Sequence, residues 1–352
     1  MSVASGSTAV FRLDPSRRTG WGHLARCAAL AHELRERGWR CVLWTDGDVS
    51  DAPPDLRFAY HHVVPAGPEW WEAPPPEVAA ARWVVVDDYG VDDSQLRRLA
   101  RALGGGKLVA RPGLLVLDDE GRRRLDAADL ILNSRLGLER SPYAADASAL
   151  LGARFALLRP GLRTPDPVSP PFPQDAEGVL VMLGGTDPRG LTPHVLEGLA
   201  DVGAERFCPV VVRTQQAPEA DAIRRALDRF PGSAWLEGLG ASSLAGWARA
   251  CRFAVSAAGG TLYELAHFHL PFVAIVVAEN QRALAAEVGM RWSMPVVDVD
   301  GGVREAVAAA FRALVEADPA TLRSALSAVH VDGRGAGRVV DAMERRAPET
   351  IS

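Results

Sequence analysis

The residue with the clearest chemical opportunity is His23. It stands in RLDPSRRTGWGHLARC, where an apolar run ends near Leu13, Gly20 and Gly22 allow close backbone approach, and an amphipathic stretch begins. At a helix start the dipole disfavours the imidazolium, so the ring stays neutral and can take a proton near neutral pH, as a general base must. A helix cap or a solvated histidine would occupy the same position equally well. Two further segments suit an anion. Gly184, Gly185 and Thr186 follow GVLVML and lead towards a helix, and Gly259, Gly260 and Thr261 repeat the device after RFAVSA. Backbone amides and a hydroxyl there can meet phosphate oxygens. Glu264 falls one helical turn beyond Thr261, where a carboxylate can accept both hydroxyls of a ribose. Asn280 and Gln281, after PFVAIVVAE, can bond phosphate or sugar, or act as plain caps. Singly, each glycine pair reads as a tight turn and Glu264 as a solvated charge. Together they favour a nucleoside diphosphate.

Other candidates carry less. Asp46 and Asp48 form an Asp-x-Asp after RCVLWT, a spacing that can hold a divalent ion on a diphosphate, but glycine-rich phosphate loops do not need one. No metal and no cofactor is expected. His61 with His62, and His267 with His269, lack a third ligand at sensible spacing. Trp70 and Trp71 suit either stacking on a sugar or base or anchoring a loop. Lys107 is the one lysine in the chain and sits in GGGKL, without Walker-loop spacing, which sets aside a Schiff base and a phosphate-loop lysine. Cys27, Cys41, Cys208 and Cys251 form no Cys-x-x-Cys pair and read as small buried apolar residues.

The elements that must position these groups follow one rhythm. TAVFRL, RCVLWT, WVVVDD, GLLVLDD and ADLILN alternate with amphipathic stretches before residue 163, and the alternation resumes with GVLVMLGG, CPVVVRT, RFAVSA, PFVAIVVA and PVVDV. This predicts an α/β protein with two doubly wound, Rossmann-like parallel sheets, and ligands at the loops that follow strands. Residues 163–178 carry five prolines within nine positions and read as a linker. The expected domains are thus 1–162, with the histidine, and 179–352, with the nucleotide loops and a terminal helix over 337–346 that packs across the junction. The chain of 352 residues is 48% hydrophobic and bears a formal charge of −5, which gives no basic field for nucleic acid. The start lacks a secretory signal, and the longest apolar run, 270–278, is about half of what a bilayer demands. A cytoplasmic protein without a transmembrane segment is expected.

Several of these segments carry a family likeness. RLD followed by GWGHLARCAALAHELRERG resembles the N-terminal signature of the nucleotide-sugar hydrolases of pseudaminic acid synthesis and the related spore-coat polysaccharide proteins, themselves relatives of MurG-type glycosyltransferases. WVVVDDYGVD is similar to the family's Asp-x-Tyr-Gly strand end, LLVLDDEGRRRLDAADLILN to its Asp-Asp segment, and LLGARFALLRPGLR to its domain-crossing sequence. VLVMLGGTDPRGLT resembles its Gly-Gly-Ser/Thr-Asp-Pro turn, AAGGTLYELAHFHLP its Ala-Gly-Ser-Thr-x-x-Glu helix start, and AENQ its Asn-Gln turn. The hits are collinear from Arg12 to Gln281. Departures fall on the sugar side: Asp88 stands where relatives commonly have histidine, and Gly260 replaces their serine.

The resemblance implies a GT-B type architecture of two facing domains and a hydrolase that releases the nucleotide diphosphate from a UDP-linked amino-deoxyhexose by water attack at the anomeric carbon. It implies His23 as base, with Asp14 orienting it or a sugar hydroxyl, Arg12 and Arg26 supporting that loop, and Asp87, Tyr89 and Arg12 at the sugar. Gly22, Gly184, Gly185, Thr186, Gly259, Gly260, Thr261, Glu264, Asn280 and Gln281 would hold the nucleotide. A glycosyltransferase with the same donor site, a hydrolysing 2-epimerase and a nucleotide-sugar-binding protein without turnover remain alternatives.

Overall fold

The computed structural model describes residues 6–14, 21–104, 111–135, 143, 148–184, 187, 189–213, 219–299 and 301–346. Of the expected site residues, Gly185 and Thr186 lie outside this set, as do Gly20 and Lys107. The chain divides into two compact units, residues 1–159 with 333–352, and residues 160–332.

In the first unit seven strands form one parallel sheet. They are β1 (Thr8–Leu13), β2 (Arg40–Trp44), β3 (His62–Val64), β4 (Trp83–Asp87), β5 (Gly113–Leu117), β6 (Leu130–Asn133) and β7 (Ser148–Leu151). Their spatial order is β3-β2-β1-β4-β5-β6-β7. Parallel strands are covered on both faces and so read as unbroken apolar runs, which is why TAVFRL and WVVVD stand out in the sequence. Alternate residues divide between two cores. Ala9, Phe11 and Leu13 pack with Leu24, Cys27, Ala28 and Leu34 of the helix Gly22–Glu36, while Val10 packs with Val84, Val86 and Leu96 on the opposite face. Where β4 pairs with β5, Trp83 lies opposite Gly113, and a Cβ at Gly113 would stand 2.8 Å from the indole, so only glycine fits there.

The second unit holds a six-stranded parallel sheet of β8 (Glu177–Met182), β9 (Phe207–Arg213), β10 (Ala234–Glu237), β11 (Phe253–Ala257), β12 (Phe272–Val276) and β13 (Val296–Asp298), in the order β10-β9-β8-β11-β12-β13. In each sheet the direction of winding reverses once, between β1 and β4 in the first and between β8 and β11 in the second. Such reversals leave a crevice beyond the strand ends into which loops from both sides project.

Two boundaries differ from the sequence expectation. The proline-rich residues 163–178 belong to the second unit and pack on it. Phe172 lies against Gly178, where a Cβ would come within 2.4 Å of the ring, and the carbonyl of Asp166 closes over Gly246. Proline excludes helix and interior strand but leaves ring and carbonyl surface that a neighbouring sheet layer can cover. The terminal helix, Gly335–Arg345, packs within the first unit rather than the second. Val339, Val340 and Met343 are fully buried in the core that holds Leu30 and Leu34. Burying three such side chains stabilises that unit by roughly 1.5–3 kcal/mol each. Arg37 ties the seam, donating to Asp341 and Glu344 at 2.7 and 2.9 Å. Among the described residues no helix is long and apolar enough to cross a membrane.

Candidate active site

The reversal point of the first sheet carries the most organised polar cluster. Strand β1 ends beside β4, with Leu13 opposite Asp87. The chain then enters the helix Gly22–Glu36, whose N-cap position is Trp21 and offers no side-chain acceptor to the first-turn amides. Such a helix start favours an anion near Gly22. His23, in the first turn, places its Nδ1 2.7 Å from Oδ1 of Asp87. Arg26 lies on the same helix face three residues later. It donates from Nε to Asp87 Oδ2 at 2.6 Å and from one terminal nitrogen to Oδ1 at 2.5 Å. Its other terminal nitrogen meets both Asp119 oxygens, at 2.8 and 2.7 Å. The Tyr89 hydroxyl also donates to Asp119, and its ring meets His23 edge-on with centroids 4.5 Å apart.

Asp87 is 1% exposed. Burial alone would raise its carboxyl, but the Arg26 guanidinium and the His23 ring outweigh that and hold it well below the usual carboxylate range. An ionised carboxylate accepts only, so the Nδ1 of His23 carries the proton. The basic nitrogen is therefore Nε2, which no hydrogen bond among the described residues occupies. Burial pushes up the Cys27 thiol, with Asp87 adding to it, and the Tyr89 phenol, with Asp119 adding to it. Both stay neutral beside the charges.

This arrangement changes three expected roles. The carboxylate that orients His23 is Asp87, not Asp14, because Asp87 ends the strand adjacent to β1. Being buried behind the histidine, Asp87 has its oxygens committed to Arg26 and His23 rather than presented to a sugar. Arg12 is 7% exposed, lies over the Trp70 ring at 4.6 Å and pairs with Asp88 at 3.2 Å. It packs near the carboxyl end of β1, between β2 and β4. The His23 side chain itself is 9% exposed, a narrower opening than the sequence suggests, because Tyr89 covers one edge. Tyr89 remains 44% exposed.

Other sequence candidates resolve as structure. Trp70 is buried against Trp44, so it anchors its loop. Asp46 accepts from the amides of Ala66 and Gly67, which ties the segment after β2 to the segment after β3, and Asp48 accepts from the Ser50 amide in a local turn. Among the described residues no cluster of His, Cys, Asp or Glu is arranged to hold a metal ion.

In the second unit the predicted nucleotide residues gather at the carboxyl ends of three adjacent strands. Gly184 follows β8 with φ +80°, Gly259 and Gly260 follow β11, and Asn280 and Gln281 follow β12. Thr261 and Glu264 lie on the helix Thr261–His267, with Glu264 half-buried. Gly260 and Asn280 are exposed, and the Gln281 side chain accepts from the Val277 amide at 3.0 Å. Two residues that the sequence reading passed over fix the first of these loops. Asp187 accepts from the amides of Leu191 and Thr192, from the Thr192 hydroxyl, and from Arg213 at the end of β9. The signal for Arg213 was a charge closing an otherwise apolar strand, and for Asp119 the second acid of a strand-end pair.

With this geometry in place, likeness to known proteins can be stated. No protein-family model matches the chain. The spore coat polysaccharide biosynthesis protein SpsG of Bacillus subtilis strain 168 is 23% identical over 177 residues, 49% of this chain and 51% of that protein. The match thus spans about half the length of that relative. Among solved structures, the glycotransferase of kitacinnamycin is similar over 97% of this chain and 99% of its own, with a TM-score of 0.65 and 17% identity. The UDP-GlcNAc 2-epimerase of Neisseria meningitidis, bound to UDP-GlcNAc, is similar over 97% and 100%, with a TM-score of 0.62 and 12% identity. At these identities the likeness defines the fold, which is GT-B. In sequence, the chain shares weak similarity with a polysaccharide biosynthesis protein.

Proposed function

We propose that the protein is a metal-independent hydrolase that releases the nucleotide from an NDP-sugar, with a UDP-linked amino-deoxyhexose as the favoured substrate. One observation carries the reading: His23 is held at Nδ1 by an ionised Asp87, with Nε2 unengaged at the reversal point of its sheet. In the proposed step Nε2 takes a proton from water, the water oxygen bonds to the anomeric carbon, and the bond from that carbon to the diphosphate oxygen breaks. The electron pair leaves with the nucleotide. Asp87 steadies the imidazolium that forms. Amides of the Gly184 and Gly259–Gly260 loops in the second unit, with Thr261, stabilise the departing charge, and Glu264 takes the ribose hydroxyls. Gly185 and Thr186 complete the first loop in this reading. The hydrolase preference rests on the collinear motif resemblance, while the similarity to SpsG supports a part in polysaccharide biosynthesis.

A second reading has its own support. The kitacinnamycin glycotransferase shares the fold along almost the whole chain, and the same histidine would deprotonate an acceptor hydroxyl or amine in place of water. A chromatographic assay of a UDP-sugar panel with and without acceptors separates the two. Free sugar formed without acceptor supports hydrolysis, strict acceptor dependence supports transfer, and a product altered at the second carbon supports the epimerase alternative. Equal UDP binding by wild type and His23→Ala, with equally negligible turnover across the panel, would favour a binding protein.

A further inference from the structure

We infer that Asp119, in the loop after β5, is a positioning residue for the His23 base: by occupying the outer edge of Arg26 it leaves the Asp87 charge available to the imidazole. The inference rests on the proposed role of His23. Its basis is a count of charges along one hydrogen-bonded chain. Arg26 presents one edge to Asp87 and the other to Asp119, and its terminal nitrogen stands 3.3 Å from the histidine Nδ1. A guanidinium so close to the ring opposes protonation there, and alone it would cancel Asp87. With Asp119 included, the cluster carries one net negative charge when His23 is neutral and none when His23 has taken a proton. Without Asp119 the same proton uptake would leave a net positive cluster. The Asp119 and Arg26 side chains are 33% and 22% exposed, sheltered enough for their charges to act over this distance.

The groups facing the ring from each packed element fit this count. The β4 end supplies Asp87 and Tyr89, the helix Gly22–Glu36 supplies Arg26 and Cys27, and the β5 end supplies Asp119. Burial pushes the phenol of Tyr60, in the core near Asp87, well above its ordinary value, so it adds no charge. At the β1 end Arg12 is paired with Asp88, and Asp14 follows at the strand terminus. The neighbouring Asp118 is engaged elsewhere, by the Tyr143 hydroxyl at 2.7 Å and the Gly121 amide at 3.0 Å.

The test is Asp119→Asn, which keeps the volume and an acceptor for Tyr89 but removes the charge. NMR titration of the His23 ring and the acid limb of kcat/KM are both expected to move to lower pH by about one unit, because the protonated ring loses its counter-charge. Asp119→Glu should hold the wild-type profile, and Arg26→Gln/Asp119→Asn should return the midpoint to the wild-type value or above. An unmoved ring titration in a folded Asp119→Asn protein, or a double variant displaced as far as the single, overturns the assignment. Should Asp119→Asn not fold, Arg26→Gln decides: its midpoint must rise, and an unmoved one overturns the charge balance. The titration needs no substrate. Absence of turnover on every sugar nucleotide would therefore defeat the proposed function while leaving the Asp119 assignment to be judged on its own.

Discussion

The Asp187 carboxylate meets the Arg213 guanidinium at 2.9 Å, and both side chains are 1% exposed. The same carboxylate holds the first turn of the helix Thr192–Gly203, and Asp187 itself adopts a left-handed φ of +41°. One buried pair thus joins the end of β9 to Asp187 and to the helix start at Thr192. Removing a single partner of such a pair strands the other charge in the interior. Arg213→Met is expected to destabilise the protein by about 3–5 kcal/mol in urea unfolding, and to weaken UDP binding measured by calorimetry. A loss below about 1 kcal/mol would show that the pair does not hold this junction.

Removing the imidazole tests the proposed base directly. His23→Ala should retain UDP binding, since it leaves the Gly22 backbone and the strand-end residues of the second unit in place, and lose at least about a hundredfold in kcat. Full activity in this variant, assayed on whichever sugar nucleotide the wild type consumes, would end the mechanism.

Acid stability should report on Asp87. Its folded carboxyl lies well below the usual range, whereas in the unfolded chain it titrates near about 3.9. The ionised carboxylate therefore adds stability that is complete above the unfolded value and is lost as pH falls towards the lower folded value. Wild type should lose stability below about pH 4 more steeply than Asp87→Asn, which has no such proton to gain. Unfolding midpoints recorded across the acid range check this, and parallel curves would contradict it.

Gly335 begins the terminal helix with its α-carbon pressed on the first unit. A Cβ there would lie 2.1 Å from the Ala156 carbonyl oxygen. Backbone cannot yield as a side-chain tip can, so Gly335→Ala should lower stability by about 1–3 kcal/mol. Hydrogen exchange should localise the loosening to the helices Gly22–Glu36 and Gly335–Arg345, and unchanged exchange there would refute the packing argument.

Much of the architecture was legible because both sheets are parallel and covered on two faces, so strands such as FVAIV at 272–276 read as continuous apolar runs. Gly184, Gly259 and Gly260 were legible as the points where the chain leaves β8 and β11, since glycines after an apolar run permit a turn. What sequence could not supply was pairing between distant segments. His23 and Asp87 are 64 residues apart, and only the sheet order, which sets β4 beside β1, brings them together. The nearer Asp14 was the natural guess from the sequence alone. Arg26 was visible by its helical spacing from His23, but its second partner, Asp119, is 93 residues away. The prolines of residues 163–178 marked an irregular segment correctly, yet composition has no term for the surface on which such a segment settles.

The helix Gly335–Arg345 completes a unit whose other strands and helices all precede residue 160. Residues 160–332 are contiguous, so on the ribosome that portion has every partner as soon as it has been translated, whereas the portion begun first still lacks its closing piece. Until the helix Gly335–Arg345 emerges, the greasy flank around Leu30 and Leu34 lacks the cover of Val339, Val340 and Met343. A stalled or clipped nascent chain would thus present a finished later half and an unfinished earlier one.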